Sequence, residues 1–295
     1  MNETRCGLVA LVGRPNVGKS TLLNHLVGQK VSITSRKPQT TRQRLLGIHT
    51  VDNAQIVFVD TPGFHQGQQK AINRYMNKTI SNVLGDVDVI IFITDRLHLL
   101  PEDEMLLENS FRIGCPVFLV INKTDELPDQ KDLLPFIDEL SKRFNFAEVV
   151  PISALKNHNT DALIRATIAK LPANPWLFDE DQLTDRNARY LAAEFVREKI
   201  TRQMGDEVPY ETAVEIEEFK EEKGIYHISA LILVEKEGQK RMLIGENGSR
   251  LKLIGTEARK DMERMFDTKV MLKLWVKVKS GWSDDERALR SLGYE

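Results

Sequence analysis

At 295 residues the chain has room for two medium domains, each with its own core. Its 41 Lys and Arg against 43 Asp and Glu leave a formal charge of -2, which excludes nucleic-acid binding through overall basicity, so any such site must be local. Two cysteines, Cys6 and Cys115, without a paired motif exclude a disulfide framework and a cysteine zinc site, and they fit a reducing compartment.

The N-terminal MNETRCGLVALVG holds no apolar stretch long enough for a signal peptide. The longest apolar run, Val89 to Thr94, is far short of the roughly 20 residues of a membrane span. A soluble, cytoplasmic protein with no transmembrane segment is expected. From Gly7 to about Leu171, the buried-strand runs GLVALV, AQIVFVD, DVIIFIT, PVFLVIN and EVVPISA alternate with helical patterns. That order predicts an α/β domain with a mostly parallel sheet.

The first strand is followed by GRPNVGKS, Gly13 to Ser20, and then by a helical TLLNHLVG. This is the phosphate-loop pattern in the context its mechanism requires. The glycines free backbone N–H groups for phosphate oxygens, the helix N-terminus adds its dipole, Lys19 can reach the β and γ phosphates, and Ser20 can ligate magnesium. The nucleotide-binding residues expected here are Gly13, Arg14, Pro15, Asn16, Val17, Gly18, Lys19, Ser20 and Thr21. Next comes SRKPQTTRQR, where Thr40 or Thr41 could touch magnesium in the triphosphate state; a basic solvated loop is the alternative. The strand AQIVFV ends in DTPG: Asp60 can hold magnesium, the Gly63 N–H can meet the γ-phosphate, and Thr61 and Pro62 complete the loop.

The strand PVFLVI runs into NKTD, comprising Asn122, Lys123, Thr124 and Asp125. A carboxylate at Asp125 can accept from the N1–H and 2-amino group of guanine, donors that adenine lacks at those positions. After the next strand, Ser153 and Ala154 of ISA could offer backbone N–H groups to the guanine 6-oxo group. In place of the glutamine that orients water in many regulatory GTPases, the residue after Gly63 is Phe64. Slow intrinsic hydrolysis is expected.

Leu171 to Asp185 breaks the alternation with two prolines and an acidic run, and reads as a linker. A smaller α+β pattern follows: a helix from about Arg186 to Met204, strands TAVEIEEF and YHISALILVE, the turn GENG, a long helix, and a last strand VMLKLWVKV. Leu251, Ile254, Ala258, Met262 and Met265 form the core face of that helix. In the last strand Val270, Leu272, Leu274, Val276 and Val278 alternate with Met271, Lys273, Trp275, Lys277 and Lys279, giving one core face and one lysine-rich face. Lys236 to Lys279 holds twelve basic residues against six acids, whereas Asp206 to Glu222 holds eight acids and one lysine. The domain is polarised, with its basic side around the glycine loop, Gly245 and Gly248, and the last strand.

GRPNVGKS, QTTR, DTPG and NKTD together resemble the translation-factor-like class of P-loop GTPases, and their wording is similar to the Era family in particular. IGENGSRLKLIG and the ending WVKVKSGWSDDERALRSLGY are similar to that family's C-terminal K-homology domain, so the resemblance spans essentially the whole chain. It implies a GTPase domain at 1–172, a linker at 173–185 and an RNA-binding domain at 186–295. It further implies hydrolysis of GTP to GDP and phosphate, Mg2+ as cofactor, and binding of single-stranded rRNA near the 3′ end of the small-subunit rRNA during ribosome assembly. Peripheral association with the inner membrane is a further expectation. By the resemblance Lys19, Thr41, Gly63 and Asn16 serve catalysis, with Thr40 in reserve for Thr41, and Asn16 resembles a K+ ligand. Ser20, Thr41 and Asp60 hold the metal. Ile244, Gly245, Glu246, Asn247, Gly248, Arg250, Lys252, Lys273 and Lys277 bind RNA, the Gly-x-x-Gly turn clamping the backbone of about four nucleotides. Two rival readings are a signalling GTPase whose second domain docks a protein or the membrane surface, and a tRNA-modification GTPase.

Overall fold

In a computed structural model, which describes residues 3–35, 37, 40–61, 85–205 and 208–291, the chain divides into two units. Among the described residues, unit 1 takes 3–32, 41–61 and 85–185, and unit 2 takes 33–35, 37, 40, 186–205 and 208–291.

Among the described residues, unit 1 is a six-stranded sheet in the order β2-β3-β1-β4-β5-β6, made of β1 (Arg5–Val12), β2 (Leu45–Val51), β3 (Ala54–Asp60), β4 (Val89–Thr94), β5 (Val117–Ile121) and β6 (Glu148–Pro151). All pairings are parallel except β2 with β3. The five apolar runs form β1 and β3 to β6, because a strand covered on both faces must be apolar on both faces. The sixth strand, β2, was not anticipated. Gly47 makes it possible: a Cβ there would lie 2.5 Å from a Leu23 methyl, so only glycine lets this strand approach α1 (Lys19–Val27) so closely. The other helices are α2 (Pro101–Arg112), α3 (Leu133–Arg143) and α4 (Thr160–Lys170).

The stretch 173–185 is bonded into this unit. Ile48 N–H donates to Leu183 O, Leu46 N–H to Asp185 Oδ1, and the Leu177 and Phe178 N–H groups to Gln55 Oε1.

Unit 2 has α5 (Ala188–Gln203), β7 (Thr212–Glu222), β8 (Ile225–Val234), α6 (Glu237–Ile244), α7 (Ser249–Phe266), β9 (Lys269–Val278) and α8 (Glu286–Ser291). Its sheet runs β7-β8-β9, antiparallel then parallel. Its core joins Phe195, Ile200, Ile228, Ile232, Ile254, Ala258 and Met262, with Leu251 and Met265 packed against it. The long-helix face expected from periodicity is therefore the face that is buried. The helix α6 was not anticipated; it starts where Gln239 Oε1 accepts from the Glu235 and Lys236 N–H groups. Among the described residues no helix is long and apolar enough to cross a membrane.

Candidate functional site

The phosphate loop leaves β1 at the sheet's central switch point, where ligands of open α/β sheets bind. Two of its glycines are sterically required. A Cβ on Gly13 would lie 2.4 Å from the Ile93 carbonyl oxygen, and one on Gly18, at φ 101°, would lie 2.2 Å from Asn122 Nδ2. Asn16 also takes a left-handed conformation, at φ 67°. The Lys19 ammonium folds back over the loop and donates to the Gly13 and Arg14 carbonyls at 2.8 and 2.9 Å. Burial pushes its pKa down to about 8, opposed by Asp60 and assisted by Arg14.

Beside it three hydroxyls converge on one oxygen. Ser20 Oγ, Ser32 Oγ and Thr41 Oγ1 donate to Asp60 Oδ2 at 2.9, 3.0 and 3.2 Å, and the Ser20 and Thr41 hydroxyls are 3.0 Å apart. Asp60 is fully buried, and its other oxygen, Oδ1, accepts no hydrogen bond among the described residues. Burial raises its pKa, while Lys19 and the three hydroxyls pull the other way. A buried carboxylate with an orphaned oxygen among hydroxyl oxygens is a hard donor set that suits Mg2+. Among the described residues no group of three or more His, Cys, Asp or Glu side chains could hold a metal, so a metal here would rest on hydroxyls. Sequence reading missed Ser32. No motif marks it, and its place is set by Asn24, whose Oδ1 accepts from the Val31 and Ser32 N–H groups. Thr61 turns its hydroxyl to Leu11 O, and Pro62, Gly63 and Phe64 lie outside the described residues.

Asn122 ties three loops together: Nδ2 donates to Val17 O at 2.7 Å, and Oδ1 accepts from Ala154 N–H at 2.9 Å. Asp125 is exposed, with Oδ1 accepting from Ser153 Oγ. The backbone N–H groups expected at a guanine oxygen are engaged within the protein, Ser153's with His158 O and Ala154's with Asn122. Asp95 also escaped the sequence reading. Its carboxylate bonds Arg14 of the phosphate loop and Lys123 of NKTD, joining the phosphate and base ends of the cleft. The buried Asp103 holds Arg14 from the other side at 2.7 Å.

Thr40 and Thr41 part company. The Thr40 hydroxyl pairs with Ser35 Oγ and Lys37 O, whereas Thr41 joins Asp60. Residues 33–35, 37 and 40 belong to unit 2, where Ile33 enters the core. There Thr34 N–H donates to the fully buried Glu198, which also meets Lys199 and Arg202. The Arg197 guanidinium donates to Thr40 O.

The second glycine loop joins α6 to α7. Gly245, Asn247 and Gly248 have φ of 73°, 49° and 76°, so the short turn reverses the chain into α7, whose first N–H, that of Ser249, donates to Glu246 O. A Cβ on Gly245 would lie 2.8 Å from Arg250 Cβ, while one on Gly248 would meet no described atom within 4 Å. Glu246, Asn247, Arg250 and Lys252 are exposed, and Ile244 is half-buried. Lys273 and Lys277 are exposed on β9.

Comparison with known proteins matches both units. The family described as 50S ribosome-binding GTPase covers residues 8–123, and the KH domain family covers 207–283. GTPase Era of Pseudomonas aeruginosa (strain UCBPP-PA14) is 60% identical over 291 residues, covering 99% of this chain and 95% of that one. GTPase Era of Pseudomonas fluorescens (strain Pf0-1) is 59% identical over 293 residues, covering 99% and 98%. Among solved structures, a point variant of Aquifex aeolicus Era bound to GDP.AlF4- superposes with a TM-score of 0.95 at 42% identity, covering 99% of both chains. Era in complex with MgGDPNP and nucleotides 1506–1542 of 16S ribosomal RNA does so at 0.94, with the same identity and coverage. Matched end to end at this identity, the chain belongs to the Era family of GTPases.

Proposed function

We propose that this chain is a GTP-hydrolysing switch that binds single-stranded RNA near the 3′ end of the small-subunit rRNA during assembly of the small ribosomal subunit. The observation that carries it is the union on one chain of a phosphate loop joined through Asn122 to a guanine-type loop, and a Gly-x-x-Gly turn opening a basic helix. The likeness to an Era that was solved with MgGDPNP and 16S rRNA nucleotides supports it.

In this reading the backbone N–H groups of the loop from Gly13 to Thr21, Pro15 excepted, surround the β and γ phosphates, and Lys19 exchanges its two carbonyl partners for phosphate oxygens. Lys123 and Asp125 bind the base, and Asn122 holds the loops in register. Ser20, Thr41 and Asp60 hold Mg2+, which neutralises phosphate charge when bound. Ser32 orients Asp60 through its hydroxyl. Thr41 follows directly on the 33–40 stretch, so the nucleotide state at Asp60 reaches unit 2 along the chain and changes RNA access there.

The test joins both halves: GTP turnover by the full chain, and a titration with single-stranded RNA from the small-subunit 3′ end in two salts. Turnover with salt-sensitive binding is expected. Binding to double- and single-stranded RNA alike, or to neither, sinks the reading. We also propose that Asn16, exposed in the phosphate loop, would contribute a ligand to a K+ ion that neutralises phosphate charge. Hydrolysis should then run faster in KCl than in NaCl, and Asn16→Ala should erase the difference; equal rates in both salts leave Asn16 a structural residue.

A further inference from the structure

The unit that carries the Gly-x-x-Gly turn has a second polar face. β9 is an edge strand, and it alternates without interruption along its length. Its even-numbered residues from Val270 to Val278 pack into the core on the helix side. The odd-numbered residues, Lys269, Met271, Lys273, Trp275, Lys277 and Lys279, point to the opposite face and are all exposed, Met271 by 49% and Trp275 by 39%. Four lysines and no acid therefore share one face with a thioether and an indole. Same-face residues repeat every ~7 Å along a strand.

The neighbouring strand brings no acid to this ribbon, while from the strand beyond it Glu218 carries a pKa lowered by its bond to Lys220 and, more weakly, by the charge of Lys273. Opposite Met271, Lys273, Trp275 and Lys277 stand His227, Ser229, Leu231 and Leu233 of β8. Glu215 and Glu218 lie one strand further away, on β7, opposite Leu231 and Ser229. The Gly-x-x-Gly turn is on the helix side of the same unit, between α6 and α7. The ribbon is not an extension of that loop.

We infer that the outer face of β9 is a second RNA surface, on which Trp275 stacks an unpaired base while Lys273 and Lys277 hold the phosphates on either side. The inference rests on the RNA-binding reading above and deepens it, by carrying the strand clamped at the glycine turn onto the sheet's other face. An aromatic plane between two cations matches a base between two phosphates, and stacking on it tolerates any base. A duplex would offer the lysines its phosphates but leave no free base for the indole. A lipid surface would need a continuous apolar area rimmed by lysines, whereas here lysines separate the apolar side chains.

The test uses the full chain and its own fluorescence. Trp282 is fully buried and Trp176 belongs to unit 1, so Trp275 is the exposed reporter within unit 2. Single-stranded RNAs of about four nucleotides, the length a Gly-x-x-Gly turn holds, and of about twelve are titrated. The longer RNA should quench Trp275. Trp275→Ala should weaken the longer RNA about tenfold and leave the shorter one unchanged, while Trp275→Phe restores most of the affinity. Lys273→Ala should lower the salt slope for the longer RNA by about 0.7. If Trp275→Ala binds both lengths as the parent does while Gly248→Asp loses both, the inference fails and the RNA reading stands. If the parent binds neither RNA, both fail. Quenching of Trp275 by phosphatidylglycerol vesicles but not by RNA would assign the face to a membrane surface and overturn the proposal.

Discussion

Asp125 is exposed at the end of β5 and, as a carboxylate, can only accept hydrogen bonds. Guanine offers two donors there. Asp125→Asn replaces one acceptor by a donor, so affinity for GTP should fall by roughly a hundredfold or more, and that for xanthosine triphosphate, with its 2-oxo group, should rise. Displacement of a fluorescent nucleotide measures both, and an unchanged preference removes Asp125 from base recognition. Lys19 supplies a pH dependence. Its pKa is about 8 in the folded protein without ligand, against about 10.4 in an unfolded chain. Between those values the unfolded state binds more protons, so Lys19 costs stability below pH 8 and the cost disappears as pH rises toward 10.4. Phosphate favours the ammonium, so nucleotide binding near pH 9 should take up about one proton that Lys19→Met does not. Calorimetry in buffers of different ionisation enthalpy measures that proton; zero uptake at pH 9 contradicts the assignment.

At the scale of elements, the loop between α6 and α7 separates geometry from affinity. Gly248 sits at φ 76° with open space where a Cβ would go, and Asp is among the residues that tolerate this region. Gly248→Asp should therefore fold, while placing a carboxylate where RNA phosphates approach. RNA binding should weaken by about tenfold or more, with GTP turnover unchanged. Parental RNA affinity in a folded Gly248→Asp protein would reduce the turn to a helix cap. β2 teaches a different lesson about elements. LLGIHTV has neither a clean alternation nor an unbroken apolar run, and it becomes a strand because all seven residues pair with β3. Propensity alone could not announce it.

For the whole molecule, the two cores are built from different residues, one around Phe92 and Leu119 and the other around Phe195 and Ile232. Magnesium nucleotide at about a hundred times its Kd should add about 2.7 kcal/mol to the unit that binds it. Hydrogen exchange resolves where that stability appears. The slowest amides of β1, β3 and β5 should slow by about a hundredfold, and those of β8 should keep their rates. Equal slowing in β8 would mean that the cores open as one.

The phosphate loop, NKTD, the five buried strands and the glycine turn are all legible in the amino-acid sequence, because each depends on neighbours within a few residues. Gly18 must be glycine for the backbone to turn, and a short, β-branched apolar run bounded by turns reads as a buried strand. Other features depend on residues far apart in the chain. Ser32 reaches Asp60 across 28 residues, Asp95 joins Arg14 to Lys123, and Thr34 meets Glu198 across 164. Nothing local distinguishes those serines, aspartates and threonines from solvated ones. Their roles follow from burial, since a carboxylate such as Asp60 or Glu198 that loses water must collect donors from whatever segments the fold brings to it. Sequence by itself determined the chemistry and its order along the chain, and tertiary structure decided which hydroxyls surround Asp60 and that residues 33–35, 37 and 40, just before Thr41, are built into the unit that carries the KH domain.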